Sequence, residues 1–94
     1  MPYIDRDRRA IITPDDTGMV VNGRNIMTVG ELNYAITKLM VEFINNNGGE
    51  SYTNFAMARI ACQDAAEEIY RRLVGKYEDK KAEQNGDVYG GLGL

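Results

Sequence analysis

From residue 29 onward, apolar side chains recur every three or four positions: Val29, Leu32, Ile36, Leu39 and Phe43, with Ala35, Met40 and Ile44 widening the stripe. That is the helical period, and it predicts a helix over Val29–Asn46. Thr28 and Glu31 have the spacing of a capping box, which satisfies free backbone N–H groups at a helix start. Asn45-Asn46-Asn47-Gly48-Gly49 supplies residues that tolerate the left-handed conformation closing a helix. A second run, Phe55, Cys62, Ala66, Ile69, Leu73 and Tyr77, again marks one face and predicts a helix over Asn54–Gln84, stopped by Asn85-Gly86. Ser51 to Asn54 offer N-caps for it. Ala56, Ala58, Ala61 and Ala65 would let a partner helix approach closely. Glu67 with Arg71 and Glu68 with Arg72 are supporting pairs four apart. Gly75 weakens the run by about 1 kcal/mol relative to alanine and marks a bend or a tight contact.

The pattern before residue 29 is different. Pro2 suits the first turn of a short helix carrying Ile4, Arg8 and Ile11 on one side, although "RRAIITP" equally suits an extended arm. Pro14-Asp15-Asp16 and Thr17-Gly18 suit turns. Asn22-Gly23 signals a β-hairpin with arms Met19–Val21 and Arg24–Ile26. The expected architecture is therefore a single all-α domain in three parts. An arm and small β-hairpin occupy 1–28, an antiparallel helical hairpin occupies 29–84, and a flexible tail occupies 85–94. Two broad stripes cannot both be hidden in one hairpin, so closure into an oligomeric helical bundle, most simply a dimer, is expected.

Composition narrows the functional classes. Ninety-four residues, 44% apolar and 27% charged, suit one small globular domain. A net charge of −3 and a pI near 4.8 disfavour a grip on nucleic acid or an anionic membrane. No apolar run approaches the roughly 20 residues of a membrane span, and the N-terminus lacks the apolar segment of a secretory signal. One cysteine allows no internal disulfide and points to a reducing compartment, the cytoplasm.

The chemistry is decided mostly by what is missing. The chain has no histidine, hence no common general base and no His-based zinc or di-iron site. No glycine cluster sits between a strand and a helix as a phosphate loop requires. Cys62 falls on the apolar stripe, as a structural thiol does. The carboxylates Asp64, Glu67, Glu68, Glu78 and Asp79 alternate with Arg and Lys on an outer face. Catalysis, a metal and a cofactor are accordingly not expected. Two polar residues interrupt apolar faces, Arg59 between Phe55 and Cys62 and Asn33 one turn from Val29 and Ile36, and with the neighbouring Tyr34 they become the candidate ligand-binding residues. A desolvated arginine needs a carboxylate, carbonyls or an anionic ligand. Otherwise its stem lies over the core with the head in water. Tyr77, Lys80, Lys81 and Tyr89 are candidate interface residues. The tyrosines offer broad apolar faces, and the lysines could meet acidic groups such as Asp5 or Asp7.

"ELNYAITKLMVEFI", Tyr70-Arg71-Arg72 and "YEDKKAEQNGDVY" together resemble a family of short uncharacterised proteins of tailed phages and prophages. The resemblance covers about Glu31 to Tyr89 and departs near residues 13–30. It implies no activity and no site residues. What it implies is a setting, a phage or prophage protein in the host cytoplasm. Small size, the expected oligomer, the tyrosines and the out-of-place Arg59 suit a non-enzymatic accessory protein binding a host factor or a small anionic, nucleotide-like defence signal. The alternative is a structural or packaging component of the virion.

Overall fold

Asp5 precedes a seven-residue helix, α1 (Arg6–Ile12), in a computed structural model that describes residues 2–89. A 3-10 turn follows at Gly23–Asn25, then α2 (Val29–Asn46), α3 (Tyr52–Ile69), a π turn (Tyr70–Val74) and α4 (Gly75–Asn85). No strand occurs among the described residues, so the fold is all-α. The chain divides into two compact units, Met1–Ile60 and Ala61–Leu94, and the division falls inside α3.

The small β-hairpin expected around Asn22-Gly23 is corrected. A tight hairpin turn of that sequence needs left-handed backbone at both central residues. Asn22 instead has φ −86° and ψ 89°, and Gly23 is not among the positive-φ glycines. The Ile26 N–H donates to the Gly23 carbonyl at 3.3 Å, closing a 3-10 turn. Residues 13–28 therefore run as a strap. The Asn22 N–H donates to the Ile12 carbonyl at 2.8 Å, which ties the strap back to the end of α1.

The expected bounds of α2 hold, with the Thr28 half of the capping box and the glycine stop in place. The Glu31 N–H donates to Thr28 Oγ1 at 3.1 Å. At the other end, Gly48 and Gly49 take φ of +100° and +87°, and the Gly49 N–H donates to the Ile44 carbonyl at 2.9 Å. The α2–α3 loop is pinned by Asn54, whose side-chain amide donates to the carbonyls of Asn47 and Gly49, both at 2.9 Å. The second helical segment begins at Tyr52 and ends at Asn85, where Gly86 (φ +91°) donates its N–H to the Ala82 carbonyl. Gly75 does not break it. It keeps helical φ and ψ, and its N–H reaches back five residues to the Tyr70 carbonyl, defining the π turn.

The first unit has a small core in an unexpected place. Ile12 is fully buried against Tyr34 and Ala35, with Ile4, Val21 and Ile26 packed around them. The sequence pattern pointed to the Leu32–Phe43 stripe as the inner face of α2; instead α1 packs on the side carrying Glu31, Tyr34 and Ala35. Gly18 lets the strap lie on that side too. A Cβ there would stand 2.4 Å from the Lys38 carbonyl oxygen and 2.9 Å from the Glu42 Cβ.

Candidate functional site

Glu31 gathers the polar contacts of the first unit. Its carboxylate accepts from Arg8 Nε at 2.8 Å and from the second Arg8 donor at 3.0 Å, a bidentate pair. It also accepts the Met27 backbone N–H at 2.8 Å, one residue short of the Thr28 N–H a capping box would use. The same guanidinium donates to the Asn25 carbonyl, so Arg8 ties α1, the 3-10 turn and α2 together. The Arg8 hydrogen bond, reinforced by the Met27 N–H, overcomes burial and holds the Glu31 carboxyl at about 2, below its ordinary 4.5. The Arg8 guanidinium is raised in turn by its bond to Glu31.

Beside this node the Tyr34 hydroxyl and Thr13 Oγ1 are hydrogen-bonded in the core. The Arg9 guanidinium lies 5.9 Å from the Tyr34 ring centroid while Arg9 Nε donates to the Ile4 carbonyl. Every buried side-chain nitrogen and oxygen among the described residues has a partner. The node is thus a satisfied structural network, with no side chain left waiting for a ligand.

The three residues expected to line a ligand pocket are not gathered round one. Tyr34 is buried beneath α1, and its hydroxyl is already engaged by Thr13. Asn33 is exposed, and its carbonyl accepts the Thr37 hydroxyl at 2.8 Å. Arg59 is exposed, with no hydrogen bond or ion pair among the described residues, so it is a free surface cation rather than a desolvated one. Helical spacing placed Arg59 and Asn33 on apolar faces, but those faces themselves are turned to solvent.

All three charges of α2 lie on the covered side. At about 100° per residue, Glu31, Lys38 and Glu42 fall within a sector of about 40°. Glu31 meets Arg8, and Lys38 Nζ donates to the Asp16 carbonyl at 2.9 Å. Leu32, Ile36, Leu39 and Phe43 lie about 80–140° from the centre of that sector and are 50, 38, 50 and 36% exposed. The helix is therefore covered on its charged side and open on its apolar one.

In the second unit, Lys81 Nζ stands 5.5 Å from the Tyr77 ring centroid. A shallow groove of about 400 Å³ lies between α4 and the turn after it, lined by Glu78, Lys81, Asn85 and Tyr89 among others. Asp87 shapes that turn by accepting the Tyr89 N–H at 2.8 Å. The nearby Glu78 carboxylate pushes the Tyr70 hydroxyl above its ordinary pKa. Of the expected interface residues, the structure brings Tyr77 and Lys81 together, and Lys81 and Tyr89 share the groove. Lys80 is exposed. The expected tail beyond residue 89 lies outside the described residues. No residue from Ala61 to Tyr89 is buried.

A family model described as "Domain of unknown function (DUF6899)" matches residues 1–88. The chain belongs to this family. No curated protein and no solved structure matches the chain. The DUF6899 match includes residues 13–30, the strap whose Gly18 lies against α2, and the whole Arg8–Glu31 node. It also takes in all of α4 and stops just before Tyr89. Among the described residues, no helix is long and apolar enough to cross a membrane, and no cluster of three metal-ligating side chains occurs.

Proposed function

We propose that this protein is a non-catalytic accessory binding protein of a tailed phage, acting on a host factor or a small anionic signal in the host cytoplasm. One observation carries the binding part. The segment Ala61–Tyr89 buries none of its side chains, yet presents Ile69, Tyr70, Leu73 and Tyr77 at helical spacing. A contiguous apolar face left more than half exposed marks an interaction surface, because covering the remaining apolar area stabilises the complex at about 25 cal/mol per Å². Tyr77, Lys81 and Tyr89 supply the aromatic and cationic anchors, and Lys80 meets acidic groups of whatever docks there. Arg59, free of any carboxylate, is the cation offered to an anionic ligand. The phage setting rests on the motif resemblance alone. In this reading the open apolar faces are covered by further copies, giving an oligomeric helical bundle.

A thermal-shift panel of nucleotides and cyclic dinucleotides against the full chain tests the anion part. A ligand that raises the melting temperature of the wild type but not of Arg59→Ala supports it. A flat panel removes the anionic signal and leaves the host factor. Finding the chain at structural stoichiometry in purified particles would replace this reading with a virion component.

A further inference from the structure

We infer that the Leu32–Ile36–Leu39–Phe43 face of α2 seats a second copy of this chain, docked antiparallel across a twofold axis at the helix midpoint. The inference rests on the reading of the chain as a partner-binding module, and it names the occupant of this one face.

Charge comes first. The three charges of α2 are turned toward α1 and the strap, so the open face and its Val29–Asn33–Met40 flank carry none, and Glu42 borders only the flank next to the strap. A partner bearing an acidic or basic surface would find no counter-charge there and would leave its own charges desolvated. The face fits an uncharged apolar surface of the same kind. Each copy carries a net charge of −3, and the carboxylate nearest the face, the half-buried Glu42, lies at its edge and in this register faces the other copy's Asn33, so two copies approach here without like charges opposed.

Register selects the second copy over an unrelated helix. In the helix Val29–Asn46, Leu32 and Phe43 are equidistant from the midpoint, and so are Ile36 and Leu39. Two copies laid antiparallel with midpoints aligned therefore place Leu32 on the second copy's Phe43 and Ile36 on its Leu39. Every contact then occurs twice, as a closed isologous interface requires. The stripe is about 16 Å long at 1.5 Å per residue. It brings together eight large side chains, each already a third to a half exposed.

Sedimentation equilibrium of the full chain over a wide concentration range tests this. The expected result is a monomer–dimer equilibrium. Ile36→Glu should raise the dissociation constant at least about 100-fold, because two carboxylates are forced against leucine. Its helix content should be unchanged, since Ile36 lies off the Ile12–Tyr34–Ala35 core. Adding Leu39→Lys should restore the dimer, because the register sets each new ammonium against the other copy's new carboxylate. Adding Leu32→Lys instead should not, because position 32 faces position 43. A monomer at every concentration, a dimer indifferent to Ile36→Glu, or equal rescue by both lysines overturns the inference. So does loss of helix in both Ile36→Glu and the milder Ile36→Ser, which would place this face in the chain's own core. A dimer with the expected register and a flat nucleotide panel would keep this inference while removing the anionic ligand.

Discussion

Glu31 shows how one side chain can hold two roles that the sequence displays only singly. Three residues after Thr28 it reads as a capping glutamate, and its backbone does take the cap. Its carboxylate, however, serves Arg8, 23 residues away, and no local rule announces a partner at that separation. The consequence is a pH dependence. A carboxyl held at about 2 when folded and near 4.5 when unfolded binds fewer protons in the folded state. Its support is complete above pH 4.5 and drains away as pH falls toward 2. Urea unfolding of the wild type should therefore weaken across that window. Glu31→Gln should be less stable at neutral pH and should lose less between 4.5 and 2. Parallel acid profiles for the two proteins would show that the pair contributes nothing. At the hydrophobic end, Ile12→Ala should destabilise the first unit by about 2–4 kcal/mol in the same assay, since it empties the centre of a small core. A loss under about 1 kcal/mol would mean that the site collapses around the smaller residue.

At the scale of elements, the long helices were readable and the connection before them was not. The α2 bounds and the Asn-Gly stops follow from local rules of period and capping, whereas the bend or tight contact expected at Gly75 is instead a π turn carried through without a break. The strap fails those rules because Asn22-Gly23 spells a hairpin without strands beside it to pair. With no ladder to join, the chain settles into a 3-10 turn anchored on Ile12 and on Arg8. Which side of α2 would be covered was likewise hidden. Apolar periodicity shows which side is sticky, whereas Gly18, Thr13 and Arg8 decide which side is occupied. Gly18→Ala is the sharpest probe of that arrangement. Its methyl would collide with backbone at Lys38, which cannot swing away as a side chain can. The variant should lose protection of the strap amides and melt lower, whereas Gly23→Ala, which faces open space, should leave the strap in place. Equal behaviour of the two would show that the strap does not lie on α2.

For the whole molecule, the expectation of an all-α chain holds, while the candidate site was only partly legible. Exposed anchors such as Tyr77 and Lys81 could be picked out because aromatic and basic residues stand out in a polar stretch. Arg59 and Asn33 were singled out on the premise that an apolar stripe is a buried stripe. That premise fails here. Hydrogen exchange on the isolated full chain should therefore divide the molecule unevenly. Slow amides are expected in α1 and in α2 near Tyr34, and faster ones through residues 61–89, whose helix has no packed face to hold it shut. A bound partner should slow the second group and leave the first nearly unchanged. Uniformly slow exchange in the free monomer would contradict the open second unit.

The distribution of tyrosines gives the protein an optical marker of its own. Six tyrosines and no tryptophan make up its near-ultraviolet chromophores. Tyr34 is buried, and the other five are more than half exposed. A reagent that nitrates accessible phenols should modify those five first and spare Tyr34 while α1 stays docked. Mass spectrometry of the resistant ring then reports the opening of the first unit with no label added. Protection gained at Tyr70, Tyr77 or Tyr89 reports in the same spectrum what has settled on the second.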